Sequence, residues 1–84
     1  NEMYFIASGE VEVDVKPNPV VLGEGDFFGE LALIHQSPRN ATIRALKQTS
    51  LLVLDADDFQ VLVEEDPRMG DSIKRTASER KGNL

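Results

Sequence analysis

The stretch Phe28-Gly29-Glu30-Leu31-Ala32-Leu33-Ile34-His35-Gln36-Ser37-Pro38-Arg39-Asn40-Ala41-Thr42-Ile43-Arg44-Ala45 decides how the rest of the chain is understood. A glycine turn leads into a short apolar helix, Glu30 to Ile34, that opens on a carboxylate. A Pro38-Arg39 pair followed by small residues closes the segment. Gly29 allows backbone to come close to a ligand. The first amides of the helix lack intrahelical acceptors and carry the positive end of its dipole, so an anion fits there. Arg39 adds a permanently charged planar fork, able to place two parallel bonds on one phosphate. Each residue alone also has a plainer explanation. Gly29 can be an ordinary strand-to-helix turn, Glu30 a first-turn acid favoured by the dipole, and Arg39 a solvated loop residue or a partner for Glu30. A carboxylate beside an anion repels it unless aimed elsewhere, and a sugar hydroxyl donating to Glu30 resolves the conflict.

On the N-terminal side, Met3 to Ala7 is an apolar run. Gly9 to Val15 alternates, with Val11, Val13 and Val15 on one face and Glu10, Glu12 and Asp14 on the other, the pattern of a half-buried strand. Ser8-Gly9 separates the two runs, and Lys16-Pro17-Asn18-Pro19 ends the second, because proline cannot donate to a ladder. Val20 to Leu22 resumes extended structure, Gly23-Glu24-Gly25-Asp26 turns, and Phe27-Phe28 supplies a large apolar anchor. On the C-terminal side, Thr42 to Leu46 and Ser50 to Leu54 are β-prone and joined by polar Lys47-Gln48-Thr49, which predicts a hairpin.

From Asp57 the period becomes helical. Phe59, Val61, Leu62 and Val63 cluster, Asp57 or Asp58 is the expected N-cap, and the helix should stop near Asp66. Pro67 suits the first turn of a second helix through Lys81, with Met69, Ile73 and Ala77 on one stripe and Gly82 as terminator. The expected architecture is one partial domain over residues 1–84. Its pieces are a roll over 1–56 carrying the 28–45 segment, a helix over 57–66 and a terminal helix over 67–81. The fold class is mainly β with α, a jelly-roll-like double-stranded β-helix with one short helix in the roll and two C-terminal helices. About six short strands close a roll poorly, so an N-terminal helix and first strands are expected to be missing.

The 84 residues contain no cysteine and carry a formal charge of −6. That charge argues against a general nucleic-acid or anionic-membrane surface, which needs a cationic field. The sequence contains no apolar run long enough to span a bilayer. His35 is the sole histidine, so a metal centre of the kind found on similar β-rolls lacks its ligands, and neither a metal site nor a catalytic residue is expected.

The quoted stretch closely resembles the phosphate-binding cassette of cyclic-nucleotide-binding domains. Phe28-Gly29-Glu30-Leu31-Ala32-Leu33-Ile34 and Pro38-Arg39-x-Ala41-Thr42 fall at the family's spacing, and Met3-Tyr4-Phe5-Ile6-x-x-Gly9-x-Val11-x-Val13 is similar to the preceding strand pair. The resemblance implies that Glu30 takes the ribose 2′-hydroxyl and Arg39 the exocyclic phosphate oxygens. Backbone groups of Gly29, Leu31, Ala32 and Ala41 would line the pocket. Thr42 either bonds the phosphate or simply opens a strand. Asn40 departs from the family's usual alanine, serine or threonine, where a hydroxyl goes with guanine binding; the asparagine either hydrogen-bonds guanine or faces solvent, and cyclic AMP is favoured over cyclic GMP.

Asp58-Phe59-Gln60 and Lys74-Arg75-Thr76-Ala77-x-Glu79-Arg80 look most like the end of this domain in prokaryotic cyclic-nucleotide-regulated potassium channels. There Arg80 matches an arginine that lies over the base, a stacking that suits a guanidinium; the alternative is that it merely complements the helix dipole. The resemblance thus implies a non-enzymatic sensor with a cyclic nucleotide as ligand and no cofactor. It would sit on the cytoplasmic face of a larger, tetrameric membrane channel, with no direct contact to nucleic acid or membrane, and would signal through the terminal helix. The alternatives are the sensor of a transcription regulator or kinase regulatory subunit, and an assembly module with a degenerate pocket.

Overall fold

The structure is a computed structural model that describes residues 2–34 and 41–83. In chain order the elements are β1 (Glu2–Ser8), β2 (Glu10–Asp14), β3 (Val20–Gly23), β4 (Phe27–Phe28), α1 (Glu30–Ile34), β5 (Thr42–Ala45), β6 (Ser50–Asp55), α2 (Ala56–Glu65) and α3 (Pro67–Asn83). The strands make two three-stranded antiparallel sheets, β4-β1-β6 and β3-β2-β5. The chain therefore changes sheet between β1 and β2, returns at β4, and crosses twice more at β5 and β6. This is a β-roll followed by two helices.

Strand alternation sorts the side chains. Ile6 of β1, Val11 of β2 and Phe28 of β4 bury against one another between the sheets, with Tyr4 and Leu22 packed on them. Tyr4 faces Phe28 across the ladder, and their rings stack at 5.1 Å. Phe5 opposes Phe27 at 5.6 Å in a tilted pair. By alternation Met3 and Phe5 lie on the other face of β1, where α1 packs. The valine face of β2 is buried at Val11 and Val13, while outward Glu12 pairs with Arg44, its cross-strand neighbour on β5.

The predicted hairpin over Thr42–Leu54 does not form. β5 pairs with β2 and β6 with β1, so the two belong to different sheets. The physical reason lies in the linker. Leu46 N–H donates to Glu10 O at 2.9 Å, and the Thr49 hydroxyl donates to the same oxygen at 3.2 Å. The linker is thereby fastened to the point where β1 gives way to β2, and the chain crosses between sheets at the same level a second time. β5 and β6 remain at sheet edges, and Ile43, Leu51, Leu52 and Val53 are exposed.

Three helix expectations also change. The N-cap of α2 is Asp55, whose carboxylate accepts from Asp58 N–H at 2.8 Å; the Asp58 carboxylate reaches back to Asp55 N–H, completing a capping box. The β6 ladder ends at Asp55 and frees it for this task. On α3 the buried stripe is Gly70, Ile73 and Ala77, while Met69 is 41% exposed, because the close approach of α2 puts Gly70 against Val63. Gly82 does not end the helix, which runs to Asn83. Substituting the cap, Asp55→Ala, is expected to cost about 1 kcal/mol. Thermal unfolding would show this as a midpoint lower by roughly 4–8 °C.

Candidate functional site

The site is built where β4 ends. The Gly23–Asp26 turn closes with Asp26 N–H on Gly23 O at 2.9 Å, and it is tied to β1 by Ile6 N–H on Asp26 O and Gly25 N–H on Ile6 O, both 2.9 Å. Those bonds fix the entry of Phe27-Phe28, whose aromatic pairs hold β4 to β1. Gly29 then adopts φ +82°, a conformation open to glycine and strained for other residues. This reverses the chain into α1 and turns Glu30 inward.

Glu30 is only 2% exposed, the one charged side chain in the core among the described residues. Its partner comes from the far end of the chain. Arg80 Nη1 donates to Glu30 Oε1 at 2.6 Å and to Phe27 O at 2.8 Å, and its guanidinium carbon lies 5.0 Å from the centre of the Phe27 ring. Arg80 itself is 23% exposed. A carboxylate this deeply buried requires a counter-charge and hydrogen bonds, because desolvation of an isolated ion is prohibitive.

Of the residues expected at the site, the structure brings together Gly29, Glu30, Leu31, Ala32 and Arg80. Ala32 is buried and Leu31 half-buried, and Ala32 N–H donates to Gly29 O at 3.3 Å, so that amide is engaged within the turn. Ala41 is half-buried just ahead of β5, and Thr42 is exposed at its first position, opposite Asp14. Arg39, Asn40 and His35 lie outside the described residues. Among the described residues no group of three or more His, Cys, Asp or Glu side chains could hold a metal ion, and no helix is long and apolar enough to cross a membrane.

The Glu30 to Arg80 pairing and the double role of Phe27 were not foreseen from sequence. A signal was present nonetheless: Arg80 extends the buried stripe Gly70, Ile73, Ala77 at three- and four-residue steps, which puts it on the face that packs inward. Separately, a cavity of 430 Å³ opens between the sheets, lined by Tyr4, Val11, Phe28, Ile43, Ala45, Thr49 and Leu51. Among the described residues its lining carries no charged side chain.

A left-handed glycine, a buried inward carboxylate and a two-sheet roll followed by two C-terminal helices place the chain in one class of domain. The family model of the cyclic nucleotide-binding domain matches residues 1–66, and the chain belongs to that family. It is 48% identical over 82 residues to a cyclic nucleotide-gated potassium channel of Rhizobium etli, covering 98% of this chain and 23% of the channel. It is 45% identical over 65 residues to the cAMP-dependent protein kinase regulatory subunit of Schizosaccharomyces pombe, covering 75% of this chain and 16% of that protein. A solved structure described with a cyclic-GMP-dependent signalling pathway that regulates bacterial phytopathogenesis superposes with TM-score 0.78 and 35% identity, covering 99% of this chain and 70% of that one. The chain thus spans about a quarter of the channel it matches, and α3 lies wholly beyond the residues covered by the family model.

Proposed function

We propose that this domain is a sensor in a potassium channel. It binds a cyclic nucleotide, with Glu30 on the ribose 2′-hydroxyl and Arg39 on the phosphate, and passes the event on through α3. The observation that carries this is the buried Glu30 placed behind left-handed Gly29 at the start of α1. A carboxylate there recognises a neutral hydroxyl, leaving the phosphate to Arg39 and to the backbone of Gly29, Leu31 and Ala41, with Thr42 beside them and Ala32, whose N–H is engaged by Gly29 O, lining the pocket. Ligand can move α3 only by differential contact with its two positions, and α3 already reaches Glu30 through Arg80.

The channel setting rests on the Rhizobium etli relative. In that setting we place the domain on the cytoplasmic face of a larger, tetrameric assembly, without enzymatic activity or direct contact with nucleic acid. Cyclic AMP is the favoured ligand, and Asn40, whose side chain either hydrogen-bonds guanine or faces solvent, is the position that bears on the choice. Calorimetry with both nucleotides tests the proposal: saturable heat with a preference for cyclic AMP is expected, and no heat from either at high micromolar ligand would overturn it.

The exposed edges of β5 and β6 support a second reading, in which the module also assembles by strand pairing. Light scattering separates the two. A mass that rises with protein concentration but ignores nucleotide favours assembly, and a mass or shape that responds to nucleotide favours the sensor.

A further inference from the structure

We infer that Ser78 is a phosphorylation site, taking one phosphoryl group from a nucleoside triphosphate by way of a serine kinase that reads cations just upstream of its acceptor. It lies on a face of α3 that the binding of a cyclic nucleotide leaves unused, and it does not depend on that binding.

The cations on this face have no other task. Lys74 and Arg75 are exposed, and neither has an ion pair or hydrogen bond among the described residues. The helix dipole does not account for them, because its effect falls off within the last turn, and α3 continues for about two turns beyond Arg75, to Asn83. Ser78 is exposed as well. A serine inside a helix commonly spends its hydroxyl on the carbonyl four residues earlier. The Ser78 hydroxyl makes no such bond among the described residues, so it is available as a nucleophile.

Spacing joins the three residues. Ser78 follows Lys74 by four residues and Arg75 by three, the separations at which side chains meet on a helix surface. An anion at this position is met by both cations, yet the unmodified chain offers only a neutral hydroxyl. Phosphorylation supplies the anion, with a charge of about −1.5 to −2 and three acceptor oxygens. The other hydroxyls of α3 lack this setting. Thr76 is half-buried, and exposed Ser72 has Asp71 beside it and Arg68 alone one turn upstream. Ser78 also stands outside the buried stripe of Gly70, Ile73 and Ala77, so the added group displaces nothing from the core.

The transfer is an in-line displacement. Ser78 Oγ attacks the γ-phosphorus of ATP, the bond from that phosphorus to the bridging oxygen breaks, ADP leaves, and the hydroxyl proton passes to the catalytic aspartate of the kinase. The product carries a phosphate monoester that Lys74 and Arg75 can hold through charge-assisted hydrogen bonds.

The test is to incubate the chain with ATP and, in parallel, a serine kinase selective for basic residues upstream of its acceptor and one selective for acidic residues downstream, mapping the products by tandem mass spectrometry. The base-selective kinase should add a single phosphoryl group at Ser78. Ser78→Ala should abolish that product, and Arg75→Ala should slow its formation by about tenfold, as for one lost charge-assisted contact. A second measurement examines the cradle without a kinase. Ser78 is installed in phosphorylated form by chemical synthesis in the wild-type chain and in a Lys74→Ala, Arg75→Ala chain. The phosphate should leave the thermal midpoint of the first unchanged or higher, and should lower that of the second, where Glu79 beside it repels an uncompensated anion.

Four results would overturn the inference: no phosphate from either kinase, phosphate mapped to Ser72 or Thr76 instead, modification by the acid-selective kinase alone, or an unchanged rate in Arg75→Ala. So would a midpoint that shifts equally in both synthetic chains, since the two cations would then not be holding the group.

Discussion

Gly9→Ala is expected to lose at least 3 kcal/mol of folding stability, enough to leave much of the protein unfolded near 37 °C. Gly9 sits at φ +101° where β1 hands over to β2, and an L residue held in left-handed backbone costs about 1–2 kcal/mol by itself. The larger part is steric. A Cβ at this position would overlap the Thr49 hydroxyl and would stand 2.6 Å from Gln48 O and 2.7 Å from Thr49 Cα. Two of those neighbours are backbone, which cannot swing aside as a side-chain tip can. Relief requires the 46–49 linker to lift from Glu10, breaking the bonds that Leu46 N–H and the Thr49 hydroxyl make to Glu10 O. A chain of 84 residues commands only about 4–12 kcal/mol in total, so a loss of this size moves the thermal midpoint down by more than about 10 °C. Urea unfolding followed by circular dichroism checks it. A midpoint within experimental error of wild type would show that the two crossovers do not bear on each other as described.

The same crossover explains which parts of the fold were legible from sequence. The valine alternation of β2, the turn at Gly23–Asp26, the Phe27-Phe28 anchor and the five-residue helix all follow from local pattern, and they stand where the residues predict. Local pattern cannot say which sheet a strand joins. Thr42–Ala45 and Ser50–Asp55 are separated by a short polar linker, and any rule based on spacing pairs them. Their true partners, β2 and β1, are chosen by the non-local bonds of Leu46 and Thr49 to Glu10. A choice among competing helix caps failed for a similar reason. Asp55, Asp57 and Asp58 are all chemically competent, and the end of the β6 ladder selects Asp55.

The site divides along the same line. Gly29, Glu30 and the helix behind them are contiguous, so their association was readable from the motif. Arg80 is fifty residues away from Glu30, and its assignment from sequence rested on likeness to a channel helix. What the sequence does contain is the inward stripe that ends on Arg80, with Gly70 buried in place of Met69. A glycine is invisible to a search for apolar residues, yet it is the position at which α2 and α3 come close enough to aim the rest of α3 at α1.

Glu30→Ala should combine a large loss of stability with loss of ligand binding, and the comparison with Glu30→Gln separates the two effects. Removing one member of a buried ion pair costs about 3–5 kcal/mol. Here the lower end applies, because Arg80 is 23% exposed and keeps its carbonyl and ring contacts to Phe27, so solvent and protein both compensate the stranded charge. A midpoint lowered by roughly 10 °C or more is expected for alanine. Glutamine preserves the shape and one acceptor oxygen, so Arg80 keeps a partner and the stability loss should be about half as large or less. Binding should not be rescued in the same way. The single amide oxygen of glutamine serves either Arg80 or the sugar hydroxyl, and its NH2 group repels the guanidinium from the other side. Cyclic AMP affinity should therefore fall by about tenfold or more in Glu30→Gln, while 2′-deoxy-cyclic AMP, which lacks the donor, is much less affected. Calorimetry and thermal unfolding on the same two variants supply both readings. A Glu30→Gln protein with wild-type affinity for cyclic AMP would remove Glu30 from sugar recognition and leave it as the buried anchor of α3.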